Sequence, residues 1–238
     1  MKESRVGGPF NDWDRSSYYQ RAGCSRSGAV TPIPQFNTIR RNFFMNGYAG
    51  HACLDHDDGG RRYVDEENLL VYGAMENHDG TDKLYQRNMI VFPGVANHSQ
   101  YGKPCFEDTP DMERTDLDAN NTLRGNTCWV TSDFVLLANS CNASSSQHNL
   151  SRTVSIKSHN DSYNTPSGSF RVSCRCAPTP GSPETCLGDE ATRSVNFSLA
   201  QWQARGVDRG SSVARLAPED QLLAGIIARA RQLLDGKE

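Results

Sequence analysis

The sequence predicts an all-β fold, a right-handed parallel β-helix closed by a C-terminal capping α-helix. Two observations predict it. First, an asparagine opens a short apolar strand three times: in Asn37-Thr-Ile-Arg-Arg-Asn42-Phe-Phe-Met45, in Tyr63-Val-Asp-Glu-Glu-Asn68-Leu-Leu-Val-Tyr72 and in Leu84-Tyr-Gln-Arg-Asn88-Met-Ile-Val-Phe92. The three asparagines Asn42, Asn68 and Asn88 lie 26 and 20 residues apart. A unit of this length cannot bury its apolar face alone, but units stacked in parallel at about 4.8 Å per coil bury a continuous core. Asparagines at one corner of successive coils are then placed to form a ladder of side-chain amides. Second, helical periodicity is confined to the end of the chain, where an open solenoid needs a cap for its unpaired strand edge.

In chain order, residues 1–197 are expected to form the coils and residues 198–238 a helical cap. Two long polar stretches, about 97–126 and 139–151, read as excursions from the coil. Between them, residues 128–138 read as one resumed strand, and 153–156 and 169–174 as further strands. The run Ala177-Pro-Thr-Pro-Gly-Ser-Pro183 is a turn-rich connector. Ser198 is placed to cap a short helix over 198–204. A longer helix starts at Pro218, with Glu219 and Asp220 in its first turn, and runs to Asp235 with Gly236 just beyond. Its apolar stripe is Leu222, Leu223, Ile226, Ile227, Ala230, Leu233 and Leu234. Its polar face mixes acids with Arg229 and Arg231, which favours a capping helix over one lying on a membrane surface.

At 238 residues and 36% hydrophobic, the chain can build one large domain with a real core. Its net charge of −3 and lack of any basic block longer than two residues argue against nucleic acid as a partner. No run approaches the roughly 18–20 apolar residues of a membrane span. The opening Met1-Lys-Glu-Ser-Arg5 has no apolar segment of a signal peptide. Six Asn-x-Ser/Thr acceptor sites, at Asn97, Asn120, Asn142, Asn149, Asn160 and Asn196, nevertheless point to a secreted, extracellular chain. So does the even set of eight cysteines, at 24, 53, 105, 128, 141, 174, 176 and 186, whose roughly 105 possible pairings stay open. Cys174-Arg-Cys176 lacks the spacing of a zinc site, and no metal centre is expected from it. A monomer is expected.

Potential chemistry is concentrated in turns. Gly7-Gly-Pro-Phe-Asn-Asp-Trp-Asp-Arg15 supplies Trp13, Asp14 and Arg15. Cys53-Leu-Asp-His-Asp-Asp-Gly-Gly60 supplies Asp55, His56, Asp57 and Asp58, and His78-Asp-Gly-Thr-Asp-Lys83 supplies His78, Asp82 and Lys83. If the first segment belongs to the coil before the second, all three clusters stack on one edge as an acidic groove. Paired carboxylates are what glycoside cleavage needs, one to protonate the leaving oxygen and one to attack or to activate water. Asp14 and Asp55 are 41 positions apart, and the Ser/Gly/Pro-rich residues 16–35 read as an insertion that leaves them one coil apart. Trp13 is placed to stack on a sugar ring. Arg15, His56, His78, Asp82 and Lys83 are the remaining candidates for substrate contact, and polysaccharide is the expected partner. No cofactor is expected except possible calcium: Asp55-x-Asp57 opens like an EF-hand loop, although Gly59 stands at a ligand position.

Three stretches resemble motifs of a known group: Gly8-Pro-Phe-Asn-Asp-Trp-Asp-Arg15, Leu54-Asp-His-Asp-Asp-Gly59 and Asp65-x₂-Asn68-Leu-Leu-Val-Tyr-Gly73. They look like segments of large right-handed β-helix carbohydrate-active proteins of the pectate-lyase-like kind. The likeness is to fucosidase/xylanase-type glycoside hydrolases and their uncharacterised relatives. Leu199-Ala-Gln-Trp-Gln-Ala-Arg-Gly-Val-Asp-Arg-Gly-Ser211 is similar to the segment that ends the helix in that group. The resemblance implies an active site of acids from the two turns, carried here by Asp14, Asp55 and Asp57 with Asp58 as substitute. Ser16 stands where some relatives place an acid, and Gly7-Gly8 where an Asp-His pair is common. Relatives carry coils before the Gly-Pro-Phe-Asn segment, so an N-terminally shortened chain is expected. The readings weighed are a glycoside hydrolase, then a polysaccharide lyase or uronate epimerase using His56 or Lys83 as base, then a non-catalytic carbohydrate-binding or cell-wall solenoid.

Overall fold

Three strands per coil follow from where the chain accepts a left-handed turn. Arg41, Glu67, Arg87 and Asn160 all have φ between 54° and 58°, and Gly125 and Gly210 take the same turn at 64° and 76°. Such a conformation costs a non-glycine residue about 1–2 kcal/mol. Stacking offsets that cost, because each turn amide donates to the next coil: Arg41 to the Glu66 carbonyl (3.1 Å), Glu67 to Gln86 (3.1 Å), Arg87 to Arg124 (3.0 Å), Gly125 to His159 (3.0 Å) and Asn160 to Arg209 (3.0 Å).

The computed structural model describes residues 10–13, 35–45, 52–57, 60, 62–77, 82–93, 104–108, 120–138, 156–175, 194–204 and 206–236. The first coil is β1 (Phe10–Trp13), β2 (Asn37–Arg40) and β3 (Phe43–Met45). The second is β4 (Ala52–Asp57), β5 (Tyr63–Glu66) and β6 (Leu69–Val71), and the third is β7 (Ala74–Asn77), β8 (Leu84–Gln86) and β9 (Met89–Val91). The fourth holds β10 (Phe106–Asp108), β11 (Asn121–Arg124) and β12 (Thr127–Trp129); the fifth holds β13 (Phe134–Ala138), β14 (Ile156–His159) and β15 (Ser162–Thr165). After these come β16 (Arg171–Arg175), β17 (Ser194–Phe197), α1 (Leu199–Gln203), β18 (Ser212–Arg215) and α2 (Glu219–Asp235).

The strands stack into three sheets. Sheet A runs β1-β4-β7-β10-β13-β16-β17, sheet B runs β2-β5-β8-β11-β14, and sheet C runs β3-β6-β9-β12-β15-β18. Every pair is parallel except β16–β17, which is antiparallel and ends sheet A. The fold is the expected right-handed parallel β-helix with a C-terminal capping helix. Inward residues stack in register: Phe10, Leu54, Met75 and Phe106 from sheet A, Phe44, Leu70, Ile90, Cys128 and Tyr163 from sheet C. A disulfide between Cys105 and Cys128 crosses this interior within the fourth coil.

The expected asparagine ladder is present and longer than the sequence repeat. Asn68 Oδ1 accepts from the backbone amide (2.9 Å) and Nδ2 (3.2 Å) of Asn42. Asn88 Oδ1 does the same for Asn68 (3.0 and 3.0 Å), and Asn126 Oδ1 for Asn88 (3.0 and 3.1 Å). Asp161 Oδ1 then takes the two donors of Asn126 (2.6 and 3.0 Å), and Ser211 Oγ takes the Asp161 amide (2.7 Å).

Two readings of the coil region need correction. The stretch 97–126 is not one excursion, because β10 and β11 lie inside it and pair with both neighbouring coils. Residues 128–138 are not one strand, because the chain turns at Asp133, whose carboxylate holds the Ser167 amide (3.2 Å) and hydroxyl (2.6 Å), and passes from sheet C to sheet A. The end of the chain divides its capping work. Ser198 caps α1 with a reciprocal bond to Gln201, and α1 buries Trp202 against Phe197 at the last coil. Helix α2 covers the outer face of sheet C, where Ile226, Ala230 and Leu233 pack on Leu69, Val71 and Val91. The apolar stripe read from sequence is therefore too wide: Leu223, Ile227 and Leu234 are exposed.

Candidate functional site

Alternation along sheet A decides which candidate side chains a polymer can reach. In β4, Leu54 faces the core, so Asp55 faces outward and His56 inward; in β7, Met75 faces the core, Glu76 outward and Asn77 inward; in β10, Phe106 faces the core and Glu107 outward. Register then aligns Asn11, Asp55, Glu76 and Glu107 on four successive coils. Three carboxylates thus occupy one position on consecutive rungs, about 4.8 Å apart per step. Asp55 is covered, at 2% exposure, while Glu76 and Glu107 are half-buried.

Trp13 and Asp57 are register partners two positions further along β1 and β4, neighbouring strands one coil apart. Asp14, Arg15, Asp58 and His78 lie outside the described residues. His56 and Lys83, expected in the groove, are inside the solenoid instead. His56 Nε2 is 2.6 Å from Asp65 Oδ2, both side chains are fully buried, and the imidazole lies among Phe10, Tyr63 and Tyr85. Lys83, also buried, donates from Nζ to Asn77 Oδ1 at 2.7 Å. The reason is parity: one step along a strand from an outward acid points inward, and a contiguous Asp-His-Asp run cannot present every side chain to one groove. Asp82 sits off the sheet A face, at a turn with φ 61°, where its carboxylate accepts from Asn120 Nδ2 at 3.1 Å.

The calcium reading finds no loop to rest on. Asp55 and Asp57 belong to strand β4, and Glu66, twelfth in that count, is in β5 and pairs with Arg40 (3.2 Å) and Arg87 (2.9 Å). Among the described residues, no group of three or more His, Cys, Asp or Glu side chains is arranged to hold a metal ion. None of the described helices is long and apolar enough to cross a membrane.

A second carboxylate pair lies at the C-terminal end of the interior. Ser158 Oγ is 2.7 Å from Asp161 Oδ2 and 2.8 Å from Asp208 Oδ1, Tyr163 Oη donates to Asp208 Oδ2 at 3.0 Å, and the Ser211 hydroxyl also bonds Asp208. Both acids are almost completely buried, so this pair is out of reach of a polymer. Glu76, Glu107, Asp161 and Asp208 are all absent from the sequence-based candidates. Glu76 and Glu107 carry no motif of their own, and register alone brings them beside Asp55.

Comparison with known proteins yields no matching family model, no matching curated protein and no matching solved structure.

Proposed function

We propose that the chain is a secreted, polysaccharide-acting β-helix protein that cleaves glycosidic bonds on the outer face of sheet A. The observation that carries this reading is the in-register row Asp55, Glu76 and Glu107. Carboxylates one rung apart match the roughly 5 Å separation of retaining glycosidases, and two rungs give the wider separation of inverting ones. Glu76 and Glu107 are the half-buried neighbours and take the roles of acid/base and nucleophile; Asp55, buried on the rung beside Glu76, is a positioning residue. Trp13 and Asp57 are register partners two positions further along β1 and β4, and Asp14, Arg15 and Asp58 follow them in sequence. The interior placement of His56 and Lys83 weighs against the lyase and epimerase readings, which need one of them as an exposed base. The Cys105–Cys128 disulfide and the six glycosylation acceptor sites support an extracellular setting.

The test is release of reducing ends from a panel of plant and algal polysaccharides, with product anomers followed by NMR. Glu76→Gln and Glu107→Gln are each expected to lower the rate by about 10²–10⁴-fold, the usual contribution of a positioned acid or base. Initial products are expected to retain their anomeric configuration. Binding of a polymer that stays intact after long incubation, equally in wild type and both variants, would leave a carbohydrate-binding solenoid in place of an enzyme.

A further inference from the structure

The left-handed turn between sheets B and C changes character along the stack. Arg41, Glu67 and Arg87 hold it on the first three coils, and Gly125, Asn160 and Gly210 on the next three. Asn160 is exposed and opens Asn160-Asp161-Ser162, one of the six acceptor patterns for N-linked sugar. The Gly125 amide donates to the His159 carbonyl and the Asn160 amide to the Arg209 carbonyl, both at 3.0 Å, so the three turn residues stack at about 4.8 Å per step. Neither neighbour of Asn160 brings a side chain to the row. A Cβ on Gly210 would collide with Asn160 Oδ1 and stand 3.2 Å from its Cγ. A Cβ on Gly125 would meet, among the described residues, Arg87 Cγ at 4.0 Å. That arginine belongs to the coil beyond and is turned away from Asn160, toward Glu66 (2.9 Å) and Glu67 (3.1 Å). The row is therefore bare for two rungs, about 10 Å, on one side of Asn160 and bare again at Gly210 on the other.

Glycine and asparagine both tolerate a positive φ, which accounts for each residue taken singly. It does not account for the contact: Gly210 must lack a Cβ for the Asn160 amide to lie where it does. Because Oδ1 is the branch of that planar amide on the Gly210 side, Nδ2 is turned from it. The other acceptor patterns within the described residues are more encumbered. Asn120 Nδ2 donates to Asp82 Oδ1 at 3.1 Å, and the pattern at Asn196 ends in Ser198, whose hydroxyl caps α1. We propose that Asn160 is an N-glycosylation site, its oligosaccharide lying over the bare glycine row. The Nδ2–C1 bond forms as the C1–O bond of a lipid-diphosphate-linked oligosaccharide breaks; the lipid diphosphate leaves with the bonding electrons, and Nδ2 gives up one of its two protons. Transfer precedes folding, so the part of the fold is to leave room at the surface for a bulky product. This inference rests on the reading of the chain as secreted, since the donor belongs to the secretory route.

The experiment is expression of the full chain behind a cleavable secretion leader in a eukaryotic host. Occupancy of each acceptor site is read by mass spectrometry after enzymatic removal of N-glycans in oxygen-18 water. Most molecules of the folded, secreted fraction are expected to carry glycan at Asn160. Ser162→Ala, which removes the acceptor hydroxyl and keeps Asn160, is expected to lose that glycan and one step of electrophoretic mass, and Ser162→Thr to restore both. Asn160→Gln is expected to lose the same step. The glycosylated wild type is expected to unfold in urea at a midpoint no lower than that of Ser162→Ala. Secreted, folded chains with other acceptor sites filled and Asn160 bare would overturn the site and leave the extracellular reading standing. Glycan at Asn160 confined to aggregated chains retained in the cell would overturn it as well, because the fold would then exclude the sugar. A secreted chain bare at all six acceptor sites would defeat the site together with the acceptor-site support for an extracellular setting.

Discussion

Ser158 has one hydroxyl proton and two carboxyl neighbours, Asp161 and Asp208, both within hydrogen-bond distance. It can donate to only one of them, so the other must bring a proton of its own. The remaining bonds decide which. Asp208 is the acceptor for Tyr163 and Ser211 as well as Ser158, whereas Asp161 Oδ2 meets only Ser158. The proton therefore sits on Asp161, which donates to Ser158, which donates to an ionised Asp208. Burial, the largest cause, and then the facing Asp208 push the Asp161 carboxyl up to about 7, against the bonds from Asn126 and Ser158. Burial raises Asp208 too, opposed by Ser211, Ser158, Tyr163 and the nearby charge of His159. An unfolded aspartate gives up its proton near 3.8, so from there to about 7 the folded chain binds more protons than the unfolded one. Stability is therefore lost as pH rises through that window, by an amount on the order of 4 kcal/mol. An asparagine at this position donates as the protonated acid does and cannot ionise. Asp161→Asn is expected to gain stability over wild type progressively from about pH 4 and to hold that gain above pH 7. Urea unfolding of both proteins across that range measures it, and a variant less stable at pH 8 would rule out this proton assignment.

The amide ladder is the element that converts a sequence repeat into a stack. Asn88 is buried, with its Oδ1 accepting from Asn68 and its Nδ2 donating to Asp65 carbonyl (2.8 Å) and Asn126, while Asn42 ends the ladder in an exposed position. Asn88→Ala strips partners from buried groups on both sides and is expected to cost about 2–4 kcal/mol; Asn42→Ala is expected to cost about 1 kcal/mol or less. Equal losses in thermal unfolding would mean that the ladder is incidental to the stack. This same ladder explains what could be read in advance. Asn42, Asn68 and Asn88 open apolar runs at short intervals, so the first three coils stand out. The next steps span 38, 35 and 50 residues, and the ladder position passes to Asp161 and Ser211, so no period survives. Sheet A is the least legible of the three because its strands, such as Ala74–Asn77 and Phe106–Asp108, are short, mixed and separated by long connections. The acids that stack there could be recognised only once parallel register had placed Glu76 and Glu107 beside Asp55.

Across the whole molecule, the coils alone form a nearly one-dimensional stack in which each contacts its neighbours, and such stacks unfold piecemeal unless something spans several units. Helix α2 is that element. Gly225 lies over the Trp129 ring in the fourth coil, so close that a Cβ would come within 2.9 Å of it. Ile226, Ala230 and Leu233 lie over the second and third coils, and Arg229 bonds the Glu67 carbonyl. The outer residues of sheet C explain the choice of surface. Leu69, Val71, Met89, Val91 and Trp129 are apolar on the outward side, whereas Ser162, Asn164 and Ser212, in register further along, are polar. The runs Leu-Leu-Val and Met-Ile-Val show no alternation, the mark of strands covered on both faces; only the phase of the helix that covers them was hidden, because its apolar residues are spread wider than one stripe. Placing a charge at the centre of that contact, Ile226→Asp, would bury an unpaired carboxylate or lift the helix, at a cost of about 3 kcal/mol. The loss should be local. Hydrogen exchange is expected to quicken in β6 and β9 while β13 and β16, away from the helix contact, keep their protection, and the urea transition to broaden as the braced coils uncouple from the rest. A uniform rise in exchange with an unbroadened transition would show instead that the coils are cooperative without the brace, leaving α2 as a cover for apolar surface alone.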